Sequence, residues 1–219
     1  MSGDRVIEHP GAYADAALYD LSYSWLDLDL DFYVRTAKAA NGPVLEVACG
    51  TGRVLLPTLA AGVDIDGFDR EPAMIAALER KAAARGLRAR VSVADMRDFA
   101  LPRHYALVTI PFRSFLHLSS TEDQLRTLRA IHEHLEPGGS LVFNVFYPSP
   151  AIIAKKENRR LLEREFAHPE SGRTVAFWDT TTYDRPAQRL SVEREVITQG
   201  APGEPDQTIL VEPGQARAA

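Results

Sequence analysis

The chain has 219 residues, 45% of them hydrophobic and 25% charged, the make-up of an ordinary globular protein long enough to bury a sizeable core. Its 25 Lys and Arg against 30 Asp and Glu give a formal net charge of −5 and a pI of about 5.7, which argues against a phosphate-neutralising surface and against nucleic acid as the partner. One cysteine excludes an internal disulfide, no apolar run approaches the ~18 residues of a membrane span, and no signal peptide is visible, so the expectation is a cytoplasmic protein with a small-molecule or protein partner and no membrane contact.

In chain order, residues 11–40 are aromatic-rich and read as helical, ending at Asn41-Gly42-Pro43. Val44–Ala48 reads as a short buried strand, residues 52–61 as a helix and Val63–Phe68 as a second strand. Pro72 opens a helix that ends near Gly86. Val91–Ala94 and Tyr105–Ile110 are the third and fourth strands. Thr121 with Gln124 marks a capping box, and Leu125, Leu128, Ile131 and Leu135 line one face of the helix it starts, which Gly138-Gly139 stops. Leu141–Phe146 is the fifth strand. Strands alternating with helices, and apolar on both faces, predict an α/β fold with a parallel sheet covered on both sides. After Pro150 the pattern changes. Residues 151–166 read as one helix, then Thr174–Tyr183, Arg189–Thr198 and Gln207–Val211 as antiparallel strands with one apolar face to bury, and Pro213 onwards as a frayed tail.

The most informative stretch is Glu46-Val47-Ala48-Cys49-Gly50-Thr51-Gly52, at the turn from the first strand into a helix. Ala48, Gly50 and Gly52 let a ligand approach the backbone, and the following helix aims amide donors at it. Gly50-Thr51-Gly52-Arg53-Val54-Leu55 has no third Gly, which disfavours a dinucleotide oxidoreductase, and no Gly-Lys-Ser/Thr follows, so it is not a phosphate loop. Asp69 stands 23 residues after Glu46 at the end of the second strand, the offset of a carboxylate that grips ribose hydroxyls; capping the helix after Pro72 is its structural alternative. Asp95 ends the third strand. It is placed to hold an exocyclic adenine amine with Met96 on the ring, or else to cap a turn. Three strand-end acids in register on the carboxyl edge of one sheet are stronger together than singly.

These residues resemble the class I S-adenosylmethionine-dependent methyltransferases over roughly residues 13–148. Val47–Gly52, Met96-Arg97-Asp98-Phe99 and Phe112-x-Ser114-x-x-His117-Leu118 resemble the small-molecule branch, which includes the nucleotide-linked amino-sugar N-methyltransferases. The resemblance implies a Rossmann-like core over 43–150, an N-terminal helical lid over 1–42, and a C-terminal piece over 151–219 of helix, antiparallel strands and tail. It implies S-adenosyl-L-methionine as cofactor, with Ala48, Gly50 and Gly52 at its methionine part and Glu46 orienting the loop or the amino group. Asp69, beside Arg70, takes the ribose, and Asp95 and Met96 take adenine. Tyr19, Tyr23 and Tyr33 match a region that lids the cofactor, and Ile110 ends the fourth strand beside it. Cys49 reads as a packing residue.

His117 follows the fourth strand, where the resemblance puts the acceptor, and an imidazole there can take a proton near neutral pH; a capping or core histidine is the other reading. His132 and His134, two apart on a helix, diverge, and no metal is expected. The family's sheet usually gains two more strands beside the fifth. Here the chain reaches Ala219 soon after the antiparallel piece, so those strands are missing and the fifth strand is left as an edge, to pair with the insert, a second subunit or a swapped segment. A homodimer through the C-terminal strands is one expectation. The function expected is methyl transfer to a small molecule, with an amine as the leading acceptor; the alternative is a shortened, non-catalytic S-adenosylmethionine-binding protein.

Overall fold

The computed structural model describes residues 5–9, 13, 15–23, 25–147 and 149–217. In chain order these form β1 (Arg5–His9), α1 (Ala16–Tyr23), α2 (Leu30–Ala39), β2 (Val44–Val47), α3 (Leu55–Ala60), β3 (Ile65–Asp69), α4 (Pro72–Ala84), β4 (Arg90–Val93) and β5 (Tyr105–Ile110). A 3₁₀ turn (Ser114–His117), α5 (Thr121–His134), β6 (Leu135–Phe143), α6 (Pro150–Lys156), β7 (Arg160–Ala167), β8 (Thr174–Asp184), β9 (Arg189–Thr198) and β10 (Gln207–Arg217) follow. The chain divides into two compact units, Tyr13–Phe146 and Met1–Ala12 with Tyr147–Ala219.

Tyr13–Phe146 holds a five-stranded parallel sheet in the order β4-β3-β2-β5-β6. The order reverses at β2, so the turns after β2 and β5 diverge and open a crevice at the carboxyl edge. Alternate residues feed opposite faces. Leu45, Val47, Phe68, Val108 and Ile110 pack with Phe99 and Ile131 on one side, and Val44, Ile65 and Leu107 pack with Leu55, Leu56 and Leu78 on the other. At the start of the strands Arg90 and Arg103 pair with Asp64 and Asp66, and the Tyr105 hydroxyl donates to Asp66 (3.0 Å), tying β3, β4 and β5 together. His134 serves the structure. Its Nε2 accepts from the Leu101 N–H (3.0 Å), its Nδ1 meets the Ala130 carbonyl (2.7 Å), and its ring packs on Phe99. β6 begins at Leu135, not at Leu141, because pairing with β5 draws in the Pro-Gly-Gly turn through a register shift. Among the described residues no strand pairs with its outer edge.

The second unit is a five-stranded sheet in the order β1-β10-β9-β8-β7. β8, β9 and β10 are the expected antiparallel strands, with Val175, Phe177, Val196 and Val211 buried. Three features depart from expectation. The helix over 151–166 stops at Lys156, and Arg160–Ala167 is strand, because β8 offers a Val-, Phe- and Trp-bearing partner that overrides the helix propensity of Leu-Leu-Glu-Arg-Glu. The segment after Pro213 stays in the ladder as far as Arg217. Arg5–His9 joins β10 in parallel, so the first residues add a strand to this sheet.

Candidate active site

The turn from β2 into α3 cannot be built from helix or strand. Ala48, Gly50 and Gly52 have φ of 55°, 53° and 87°, all left-handed, which costs Ala48 on the order of 1 kcal/mol and the glycines little. A Cβ on Gly52 would press on Leu56 and Leu78, so core packing beneath the loop requires this glycine. A Cβ on Gly50 would instead point toward the Tyr19 ring, 3.8–4.0 Å away. The Asp69 carboxylate braces the turn, Oδ2 accepting the Gly50 N–H (2.8 Å) and Oδ1 the Glu71 N–H (3.0 Å). Burial raises its pKa, against those two hydrogen bonds.

Glu46 lies inside β2 and is 2% exposed. Its Oε2 is enclosed without a hydrogen-bond partner among the described residues. Burial pushes this carboxyl up to about 8, with Arg53 pulling in the opposite direction. Cys49 is buried, and its thiol is held well above its ordinary range by burial and by Glu46 and Asp69, so it packs as a neutral group.

Two ion pairs fasten the N-terminal helices to this turn. Asp20 of α1 accepts from the Thr51 hydroxyl (2.6 Å) and pairs with Lys81 of α4 (2.5 Å). Asp29, before α2, takes the Arg53 guanidinium in a two-pronged pair (2.5 and 3.0 Å), and Arg53 also donates to the Leu26 carbonyl. Tyr19 packs against Tyr23 (5.0 Å between ring centroids) and Tyr13 (5.9 Å), and its phenol is raised far above the ordinary range, first by burial and then by those tyrosines. Tyr33 is buried, with its pKa pushed up to about 12 by burial and Asp29. None of Asp20, Thr51, Arg53, Asp29 or Lys81 stands out in the sequence, since each is an ordinary surface-type residue until the helices fold over the loop.

After β5 the chain turns through two consecutive left-handed residues, Phe112 and Arg113, at φ 57° and 63°. Asn144 offsets this strain: its Oδ1 accepts the Arg113 N–H (2.8 Å) and the Tyr33 hydroxyl (3.4 Å). Phe112 is held between Tyr23 (5.0 Å) and the Arg53 guanidinium (5.2 Å). The turn delivers His117, which is exposed, to Tyr13. The Tyr13 hydroxyl and His117 Nε2 are hydrogen-bonded at 2.9 Å, with the rings edge-on at 5.2 Å. At the end of β4, Asp95 is locked by Arg97, which holds its pKa below the usual range, and the Ala94 N–H donates to the Asp69 carbonyl.

A hydrogen bond and ring contacts therefore run from His117 through Tyr13 to Tyr19, whose ring faces the side of Gly50 that carries no Cβ, and the Gly50 N–H donates on to Asp69, with Asp95 just beyond the neighbouring strand. Tyr23, Tyr33 and Glu46 flank this line. Met96 is half-buried against the Phe68–Phe99 cluster. Arg70 is exposed and turned to Glu71. Ile110 is fully buried, so its side chain belongs to the core and only its main chain reaches the edge.

A family model described as a methyltransferase domain matches residues 44–139, which span β2 to β6 and carry Glu46, Gly50, Asp69, Asp95 and His117. These residues form a methyltransferase domain, with S-adenosylmethionine as its cofactor. The chain is 27% identical over 172 residues to a dTDP-3-amino-3,4,6-trideoxy-alpha-D-glucopyranose N,N-dimethyltransferase of Streptomyces venezuelae, covering 78% of this chain and 68% of that one. It is 36% identical over 144 residues to a demethylmenaquinone methyltransferase of Thermus thermophilus, covering 62% of this chain and 64% of the relative. Among solved structures it is similar to CalS10, an amino pentose methyltransferase from Micromonospora echinaspora with S-adenosylmethionine bound, at 25% identity and a TM-score of 0.71, with 93% of this methyltransferase and 81% of that chain covered. Nothing in these comparisons supports a non-catalytic role or a homodimer through the C-terminal strands. No helix among the described residues is long and apolar enough to cross a membrane.

Proposed function

We propose that this methyltransferase methylates an amine on a small molecule, with an amino sugar as the favoured acceptor class and His117 as the base that frees the amine's lone pair. The observation that carries this reading is the Tyr13–His117 pair, which leads through the Tyr19 ring to the glycine turn. Relatives named for amino-sugar acceptors point the same way, whereas the Thermus relative is named for a quinone acceptor.

The site fits the cofactor on its own terms. Glu46 holds an enclosed oxygen with no partner among the described residues, which suits the ammonium of the cofactor's amino-acid part. Each Asp69 oxygen uses one lone pair on a backbone N–H and keeps another for a ribose hydroxyl. Asp95 takes the adenine amine and Met96 the ring face. The main chain of Ala48 and Gly50 lies open to the methionine part, with Gly52 shaping the turn, and Tyr19, Tyr23 and Tyr33 exclude water from above. Arg70 and the main chain of Ile110 border the pocket. When bound, the cofactor supplies an electrophilic methyl group on a sulfonium, so the acceptor must present a lone pair in line with it. With Tyr13 donating, His117 Nε2 is the basic nitrogen, and a proton leaving the amine is taken by the Tyr13 hydroxyl oxygen as that hydroxyl passes its own proton to Nε2. A cytoplasmic location belongs to this reading, given the single buried cysteine.

Methyl transfer from labelled S-adenosylmethionine to nucleotide-linked amino sugars, hydroxyl compounds and quinols tests the proposal. Amine methylation is expected. Turnover confined to hydroxyl or quinol acceptors would overturn the amine reading while leaving the methyltransferase assignment in place.

A further inference from the structure

Asp95 carries an unusual load for a ligand-binding carboxylate. The Arg97 main-chain N–H and Nε both donate to Oδ1, each at 2.9 Å, and Nη2 donates to Oδ2 at 2.6 Å. A carboxylate offers about four acceptor positions, two on each oxygen. Oδ1 is thus filled, and Oδ2 keeps one. The guanidinium fork is planar and rigid, so it fixes the direction of that last lone pair as well as the charge behind it. Arg97 is itself steadied from the other side: Asp123, at the start of α5, stands 3.7 Å from its Nη1, and Asp98 is turned to Arg126. Met96, between the two, is packed against the core and cannot swing the loop away.

We propose that Arg97 is a positioning residue for cofactor recognition: by filling three of the four acceptor positions of Asp95 it leaves one oriented acceptor, so that the site selects a purine whose 6-substituent donates a hydrogen bond. This rests on the assignment of Asp95 to the adenine amine made above. A bare carboxylate rotates and recruits water, and can tolerate a 6-carbonyl through a bridging water. A carboxylate locked on one side presents its oxygen to that carbonyl with no donor between them, and rejects it.

Calorimetric binding of S-adenosylhomocysteine and S-inosylhomocysteine, which differ by amine against carbonyl at that position, tests the idea on the intact chain. The readout is the ratio of the two dissociation constants in one preparation, which does not depend on the folded fraction. The native protein is expected to prefer the adenosyl compound by at least about tenfold, the scale of a charge-assisted hydrogen bond. Arg97→Met keeps the backbone bond to Oδ1 and removes the fork. It should shrink the preference several-fold, Arg97→Lys should restore part of it, and Asp95→Ala/Arg97→Met should be no worse than Asp95→Ala alone. An Arg97→Met protein with the native ratio, including one that binds both compounds equally more weakly, would overturn the proposal and leave Asp95 in its role. An Asp95→Ala protein with the native ratio would remove the adenine assignment itself, and the proposal with it.

Discussion

Replacing Glu46 by Gln probes the cost of placing a carboxyl in the first parallel strand. In the folded chain burial moves this group up to about 8, whereas an unfolded chain titrates it at about 4.3. Between those values the folded form holds a proton that the unfolded form has lost. Stability therefore falls as the pH rises through that window, and levels off above it. At about 1.4 kcal/mol for each tenfold change in proton affinity, the full span is worth about 5 kcal/mol. Gln has the same shape and no such titration, but its amide brings donors that the enclosed Oε2 site does not satisfy, at a cost of roughly 1–3 kcal/mol. Urea unfolding of both proteins without cofactor, from pH 5 to 9, should show the variant equal or slightly weaker at pH 5 and ahead by a few kcal/mol at pH 9. The cofactor's ammonium should favour the ionised carboxylate, so native binding near pH 7 releases protons in excess of what the Glu46→Gln variant releases, measured by calorimetry in two buffers. Parallel stability profiles for the two proteins would refute the titration. Equal proton release would refute the pairing with the ammonium.

Other outcomes follow from the same geometry. His117→Ala should lower amine turnover by ~10²–10⁴, the usual loss for a general base, with recovery at high pH and cofactor affinity unchanged; normal turnover at pH 7 would leave proximity as the catalytic device. Asp69→Ala should weaken cofactor binding roughly 10- to 100-fold by removing charge-assisted bonds, and Asp69→Asn less, since Asn keeps one acceptor for the Gly50 N–H; unchanged affinity in a folded variant counts against the ribose role. Asp20→Ala cuts α1 from Thr51 and Lys81, and stopped-flow release of S-adenosylhomocysteine should quicken by about three- to tenfold, since a half-exposed latch is worth about 1 kcal/mol. Gly67→Ala drives a methyl into Leu55 and Cys49 and should cost about 1–3 kcal/mol of stability by thermal melting.

The parallel sheet was legible from local pattern because its central strands are apolar on both faces and the turn after β2 carries small residues. Val44–Val47 and Tyr105–Ile110 need no partner to be recognised as buried strands. Strand-end acids were legible for a related reason: their offset puts them on one edge of a sheet so ordered, as Asp69 at the end of β3 and Asp95 just beyond β4 are, whereas Glu46 lies inside β2 opposite Gly67, two residues short of Asp69. Side chains whose meaning depends on a distant partner were silent. Asp20 and Asp29 are surface acids until α1 and α2 meet Thr51 and Arg53, and Tyr13 lies 104 residues from the histidine it touches. Arg160–Ala167 has the composition of a helix and becomes strand only because β8 lies beside it with open hydrogen-bonding groups. Arg5–His9 likewise finds its ladder at the far end of the chain, at Gln207–Val211. Pairing energy of this kind is non-local. It outweighs propensities of a few tenths of a kcal/mol per residue, so these choices were made by the tertiary fold.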